Sequence, residues 1–378
     1  MAVDSHLDFM LALGRVAAAG GGDACFSPYS AASALGLAAR AARGQTADEL
    51  RKLLTSASTS DTDTDNSAAS TPNEAALEAH ATVLREAANL GDEAQLAVAN
   101  TLWASDEITV EGSFLEELVA WPGGKAETAP FATDPEAARG LINGDVDRTT
   151  NGLIPELLPG GAVTVDTRAS LVNALYLKTG WRHPFPAGAT ASAEFHSPGE
   201  TRRVPTMRLE ETLGYHRADG WQVVSLPAQG GVEAVVLLPD GDLAPAEAAL
   251  DTARLKRLLD GTSRRKVRLA LPKIELDLRT DLDGALRALG VRELFTAEAD
   301  LTGLTATRPL WVDSVVHQAV LRLDEQGLEG AAATAIQIRT MSLSTAEPLD
   351  VAVDRPFLLL VRHAGTGAVY FFARVVRP

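Results

Sequence analysis

The stretch EQGLEGAAATAIQIRTMSLSTAEPL, residues 325–349, has no apolar period long enough for a buried helix and no turn signal for a hairpin. Before it comes VDSVVHQAVLRL (312–323), which reads as a long strand of a sheet covered on one face and partly on the other. After it comes FLLLVRHAGTGAVYFFARVV (357–376), two apolar strands around a turn at Gly365 to Gly367. A structureless loop of this length inside a compact domain is uncommon, and where one occurs it is functional or disordered. The Ala run has helical propensity, but Gly327 and Gly330 weaken that reading. The sequence alone therefore marks 325–349 as a long loop set between sheet strands.

The rest of the chain supplies a core for those strands. Of its 378 residues 46% are hydrophobic, and no Pro-rich or Gly/Ser linker divides it, which favours one large domain over 1–378. Helical and strand-like segments interleave without a regular strand–helix repeat, the pattern of an α+β fold. Leu7, Met10, Leu11 and Val16 recur at helical spacing before Gly20 to Gly22. A second helix is expected after Ser27 and Pro28, another at about 74–88, and a short amphipathic one at 281–289 with Gly290 past its end. Strands are expected around 95–103 and over 165–178. The polar, low-complexity stretch 55–73, TSASTSDTDTDNSAASTPN, reads as a disordered-like surface insertion.

A formal charge of −16 opposes nucleic-acid and anionic-membrane partners. The N-terminus shows neither a basic leader nor a cleavage site, and no apolar run approaches the ~20 residues of a membrane span. The cytoplasm is the expected location, with export by another route or trimming of the start as the alternative. Cys25 is the only cysteine, so no internal disulfide forms; beside Phe26 it reads as a small buried hydrophobe. Heavy use of Ala, Gly, Leu, Arg and Asp suggests a GC-rich genome such as a bacterial one. The seven histidines are scattered without metal-ligand spacing, and no nucleophile elbow, phosphate loop or dinucleotide fingerprint occurs. No enzyme chemistry, cofactor or metal is indicated.

Several motifs recur in a telling order. Phe26-Ser-Pro-Tyr-Ser30 is followed by Gly44-Gln-Thr46 and Glu49-Leu50, then Asn100-Thr-Leu-Trp103. Thr150-Asn-Gly-Leu-Ile154 precedes Asn173-Ala-Leu-Tyr-Leu-Lys178 with Trp181 and Phe185. Leu271-Pro-Lys273, Asp281-Leu282, Leu289-Gly290, Ala299-Asp300 and Gly303 follow, and the chain closes with Asp324-Glu-Gln-Gly327, Asp354-Arg-Pro-Phe357 and Thr366-Gly367. Together they resemble the serpins, over nearly the whole chain. The resemblance implies three β-sheets with surrounding helices and an exposed C-terminal reactive-centre loop, 325–350. It also implies inhibition of a serine protease, or of a cysteine protease, by a suicide-substrate mechanism. The protease acylates itself on the loop, the cleaved loop inserts into the main sheet, and the distorted enzyme cannot deacylate; loss of one oxyanion donor alone costs ~10²–10³ in rate. Serpin loop insertion is itself a standard instance of strand addition, and it implies a metastable uncleaved fold.

By the family's loop length from Glu325, the scissile bond falls at Met341–Ser342, which suits chymotrypsin-, elastase- or subtilisin-like enzymes. The alternative register, Arg339–Thr340, selects trypsin-like ones, and Leu343 is a third candidate. The implied hinge is Glu325 with Gly327, Leu328, Glu329, Gly330, Ala331, Ala332, Ala333 and Thr334. Leu328 and Gly330 depart from the family's pattern and are expected to slow insertion, which keeps a non-inhibitory binding or chaperone role open. Ser27, Ser30, Asn173 and His317 match a hydrogen-bonded cluster beneath the opening sheet, and Trp181 matches the aromatic residue at the insertion point. A monomer is expected. The acidic helix at 74–88, with Arg85 as its one basic residue apart from His80, argues against heparin-type activation.

Overall fold

The computed structural model describes residues 2–55, 70–118, 121, 123–307, 309–329 and 347–378. Among them, two sheets organise the chain. The first contains β1 (Ala24–Phe26), β5 (Ala191–Ser197), β6 (Glu200–Ala218), β7 (Trp221–Pro227), β8 (Val232–Pro239), β9 (Ser263–Pro272), β13 (Leu349–Ala352), β14 (Phe357–His363) and β15 (Val369–Val375). Its order is β1-β15-β14-β8-β7-β6-β9-β13, with β5 paired to β6. The second contains β2 (Ala94–Ser105), β3 (Gly124–Ala129), β4 (Ala169–Gly180), β10 (Ile274–Asp281), β11 (Ser314–Leu323) and β12 (Gly327–Leu328), in the order β10-β11-β12-β4-β2-β3.

Helices α1 (Ala2–Ala17), α2 (Pro28–Ala41), α3 (Gly44–Thr55) and α4 (Ser70–Ala87) pack on one another, and α2 also touches β2 and β4 of the second sheet and β15 of the first. α2 fits there because it is rich in Ala, Ser and Gly and is buried almost throughout. A Cβ on Gly36 would meet the Trp121 ring at 2.2 Å. Its start is written in the sequence: Ser27 caps it, accepting from the Ser30 N–H, and Pro28 occupies the first turn. α5 (Gly112–Leu118), α7 (Leu243–Ala248), α8 (Thr252–Asp260) and α9 (Leu282–Ala288) border the sheets, and Asp281 caps α9.

α6 (Pro135–Thr149) covers the face of the second sheet opposite α2. Alternation along β4 shows the two sides. Leu171 and Leu175 join the main core, while Val172 and Ala174 join a second, smaller core with Ile142 and Val146 of α6 and Val320 of β11. Burial on both faces explains why β4 reads as apolar with little alternation. The terminal hairpin forms as expected, and β14 also pairs with β8, so it lies inside its sheet.

Three expectations change. The fold is as expected, but among the described residues its strands hydrogen-bond into two sheets rather than three. The 19-residue β6 pairs along its length with β5, then β9, then β7, which makes those strands continuous. α4 begins at Ser70, so the 55–73 stretch ends in helix; its residues 56–69 lie outside the described residues. The loop expected at 325–349 is also shorter at both ends. Gly327 and Leu328 form a strand, and Leu349 opens another, paired in parallel with β9.

Candidate functional site

β11 and β4 run parallel and are paired from Ser314↔Ser170 to Gln318↔Ala174. Extending that register would set Leu323 opposite Thr179. Instead Leu328 stands between them, antiparallel to both, and Gly327 faces Gly180. The second sheet is therefore closed at one end and wedged open at the other by the first residues of the expected hinge.

The wedge rests on a tight turn that apolar patterning does not reveal. The Asp324 carboxylate accepts from the N–H groups of Gln326 (2.8 Å) and Gly327 (3.2 Å), and the Asp324 N–H donates to the Gly327 carbonyl. Gly327 is required by space, since a Cβ there would meet the Thr179 carbonyl oxygen at 2.1 Å. Leu328 is buried in the main core. Glu329 donates its N–H to the Arg322 carbonyl and then takes a left-handed φ of 57°, which ends the pairing. Burial raises the Glu329 carboxyl above its ordinary range, with Arg322 and Lys178 opposing.

Trp181 lies at the mouth of the wedge. Its indole N–H donates to the Asp324 carbonyl (2.8 Å), and its backbone N–H donates to the Gln326 carbonyl. Its ring meets Phe185 edge-on, and the Phe185 N–H donates to the Glu325 carbonyl. Glu325 is anchored by Lys273 Nζ (2.7 Å) and the Thr190 hydroxyl (2.7 Å). Burial alone would raise its carboxyl, but the Lys273 and Thr190 hydrogen bonds outweigh that and hold it below the ordinary range. Lys273→Ala is expected to cost about 1 kcal/mol, because the lysine is partly solvated. A matching fall in the denaturation free energy checks this; no change would show that Thr190 alone holds the turn.

Below the closed end of the slot lies the polar cluster. His317 Nε2 accepts from the Ser27 N–H (2.9 Å), which leaves the ring proton on Nδ1 to donate to Asn173 Oδ1 (2.7 Å). Asn173 Nδ2 then donates to the Ser30 carbonyl (2.7 Å) and to Asn100 Oδ1. The four expected residues are brought together, with one difference: Ser30 joins through its main chain, and its hydroxyl has no partner among the described residues. Asn100 is an additional member. It stood inside the Asn100-to-Trp103 motif, but only its pairing opposite Asn173 reveals the role. Burial pulls the His317 imidazole down to about 4, against the opposing hydrogen bond with Asn173.

Gly330, Ala331, Ala332, Ala333, Thr334, Arg339, Thr340, Met341, Ser342 and Leu343 lie outside the described residues. Leu328, expected to slow insertion through the bulk it must bury, is already buried. Cys25 is buried, with its thiol pushed up by desolvation. Among the described residues, no group of three or more His, Cys, Asp or Glu is placed to hold a metal, and no helix is long and apolar enough to cross a membrane.

Comparison with known proteins gives one family. The family model described as "Serpin (serine protease inhibitor)" matches residues 6–378. A serine protease inhibitor of the rat is 33% identical over 93% of this chain and 82% of its own length. Human "Alpha-1-antichymotrypsin" is 33% identical over 78% of this chain and 71% of its own. Human thyroxine-binding globulin, solved with thyroxine, superposes with a TM-score of 0.87 at 23% identity, covering 100% of this chain and 98% of that one. These relatives are eukaryotic, so the expectation of a bacterial genome draws no support from them.

Proposed function

The chain belongs to the serpin family of protease inhibitors, and from that premise we propose that it traps serine proteases as acyl-enzymes by inserting its cleaved loop between β11 and β4. One observation carries the reading: Leu328 already pairs with both strands, so the added strand has its first residue in place. Continuing antiparallel from Leu328, the next residues would meet the facing edges of β11 and β4 until the two strands join at Gln318 and Ala174. Each step exchanges solvated backbone for ladder hydrogen bonds. Once the loop is cut it is free to advance, carrying an acylated protease with it. A strand from Glu325 to Met341 reaches ~50 Å at ~3.3 Å per residue, far enough to remove the enzyme from its docking end.

Met341–Ser342 is the proposed reactive bond, and a chymotrypsin-, elastase- or subtilisin-like enzyme the proposed target. The name of the human relative points the same way. Arg339–Thr340 would instead admit a trypsin-like enzyme. Conversion of Met341 to its polar sulfoxide is expected to weaken inhibition of a chymotrypsin-like target severalfold; confirmed oxidation without a rate change would move the bond elsewhere. The decisive experiment incubates the protein with chymotrypsin, subtilisin and trypsin, then examines denaturing gels and the released peptide by mass spectrometry. A covalent band surviving denaturant and a peptide beginning at Ser342 are expected. Clean cleavage with no such band would overturn the trapping mechanism.

The second reading, a non-inhibitory binding protein, is favoured by one comparison, since the thyroxine-binding globulin structure carries a ligand in the same fold. Thermal midpoints before and after loop cleavage separate the two. Insertion raises the midpoint strongly, whereas a loop that stays out leaves it unchanged.

A further inference from the structure

Away from the sheet, two histidines face each other in the helical core. His6 of α1 and His80 of α4 are almost fully buried, with His6 Nδ1 and His80 Nε2 3.1 Å apart and the rings edge to face. The chain of contacts fixes both tautomers. His6 Nε2 accepts from the Val369 N–H of β15 (3.0 Å), so the His6 proton lies on Nδ1 and is donated to His80 Nε2. His80 must then carry its proton on Nδ1, where it is donated to the Leu54 carbonyl near the end of α3 (3.0 Å). Four segments are joined by three hydrogen bonds, and the joint holds only while both rings are neutral.

We propose that the His6–His80 pair is a proton-operated latch that ties α4 and the end of α3 to the body of the protein and releases them in acid. A proton arriving at His6 Nε2 would set two donors face to face, Nε2–H against the Val369 N–H. A proton arriving at His80 Nε2 would do the same against His6 Nδ1–H. Either breaks a bond of the chain and leaves a cation in an apolar site, whose full desolvation only opening relieves.

Among the described residues, no carboxylate is a hydrogen-bond partner of either ring to rescue the cation. Most charged groups of the surrounding elements have other partners. On α1, Asp4 pairs with Lys256, Asp8 accepts from Thr252 and Arg15 donates to the Leu250 carbonyl. On α2 and α4, Glu78 takes Arg40 and Arg85; on α3, Asp48 pairs with Arg51, and Lys52 lies on the last turn. Glu86 of α4 acts on His363 at the end of β14, and Arg374 of β15 pairs with Glu247. The phenols of Tyr29 and Tyr370 donate to the carbonyls of Leu84 and Ala87, at the far end of α4. Burial holds both imidazoles well below the usual histidine range, with the neighbouring ring adding to the effect at His6.

The opened corner can take up two protons that the closed one refuses. Its opening constant should therefore rise by up to ~100-fold per pH unit well below the ordinary histidine value, until the closed form itself protonates. Hydrogen exchange of the intact protein from pH 7 to pH 4, corrected for intrinsic rates, reads this directly. Peptides of α4 are expected to open along this slope and to exchange ahead of the β6–β7 hairpin, the global reference. The hairpin's own slope is at least as steep, because global opening also exposes the buried His317. In His80→Gln the slope should fall to ~10-fold per unit. Exchange of α4 that coincides with the reference at every pH, or an α4 slope unchanged by His80→Gln, overturns the latch. Imidazole ¹⁵N shifts of the wild-type protein supply a test that needs no variant. Both rings are expected as neutral Nδ1–H tautomers down to pH 5, and a cationic or Nε2–H form of either ring overturns the proposal.

Discussion

Asn173→Ala is expected to lower the thermal midpoint of the intact protein by about 4–8 °C and to hasten its conversion to polymer or to an inactive loop-inserted monomer. The truncation strips a donor from the Ser30 carbonyl, an acceptor from the His317 Nδ1–H and a partner from Asn100. Each disturbed buried contact costs ~1–3 kcal/mol, so a total of about 3–6 kcal/mol is reasonable. At ~2.1 cal/mol/K per residue, a chain of this length loses about 1 °C or slightly more per kcal/mol. Asn173 lies on β4 and His317 opposite it on β11, at the last stretch where the two strands pair. Loss of this tie should therefore lengthen the slot as well as weaken the fold. Scanning calorimetry and native gels after mild heating read both effects; a variant that melts with the wild type and stays monomeric would remove the cluster from control of the sheet. His317 also sets a pH dependence. Its folded value is about 4 against 6.5 for an ordinary histidine. The native state therefore refuses a proton that the unfolded chain accepts. Stability from this site is complete above about pH 6.5 and is lost as pH falls towards 4, by about 3 kcal/mol.

Leu328→Arg is expected to turn the protein from an inhibitor into a substrate. The leucine side chain is packed in the core between Leu323 and Thr179, and a guanidinium there would be a buried charge without a partner, costing several kcal/mol. The hinge would leave the slot, and after cleavage the loop would have to bury the same charge again before the next residue could follow. Hydrolysis of the acyl-enzyme then outruns insertion. The yield of covalent complex should fall more than tenfold, with cleaved protein accumulating in its place. Leu328→Thr, smaller and uncharged, should retain most of the complex. Equal yields from wild type and Leu328→Arg would mean that insertion does not begin at this residue.

Much of this was legible in the sequence because it is local. The helix start after Ser27 and Pro28, the short helix near 281–289 and the apolar hairpin around Gly365 to Gly367 each follow from neighbouring residues, and the structure shows them. The cluster residues were reachable only through a family resemblance, because Ser27, Asn173 and His317 are brought together by strand pairing across long stretches of chain. Asn100 was missed for that reason. The hinge strand was missed for another. Asp324 makes its turn through a side-chain-to-backbone contact, and a two-residue strand is too short to show a period. The histidine pair is invisible for both reasons, since neither ring lies near the other in sequence and neither has metal-like spacing.

The small core beneath α6 acquires a mechanical meaning from its position. It draws Val172 and Ala174 from one side of the slot and Val320 from the other, so the cluster spans both banks, while α6 itself touches β2, β3 and β4. Each strand added to a sheet occupies ~4.8 Å of width. A full insertion must therefore move those banks apart by that distance, and side chains that touch across the slot cannot stretch to follow. The apolar cluster under α6 acts as a gauge of sheet width, in register only with the present number of strands. Widening must cross a state in which this contact is lost before it is remade, and the height of that crossing helps keep the uncut protein in its present form.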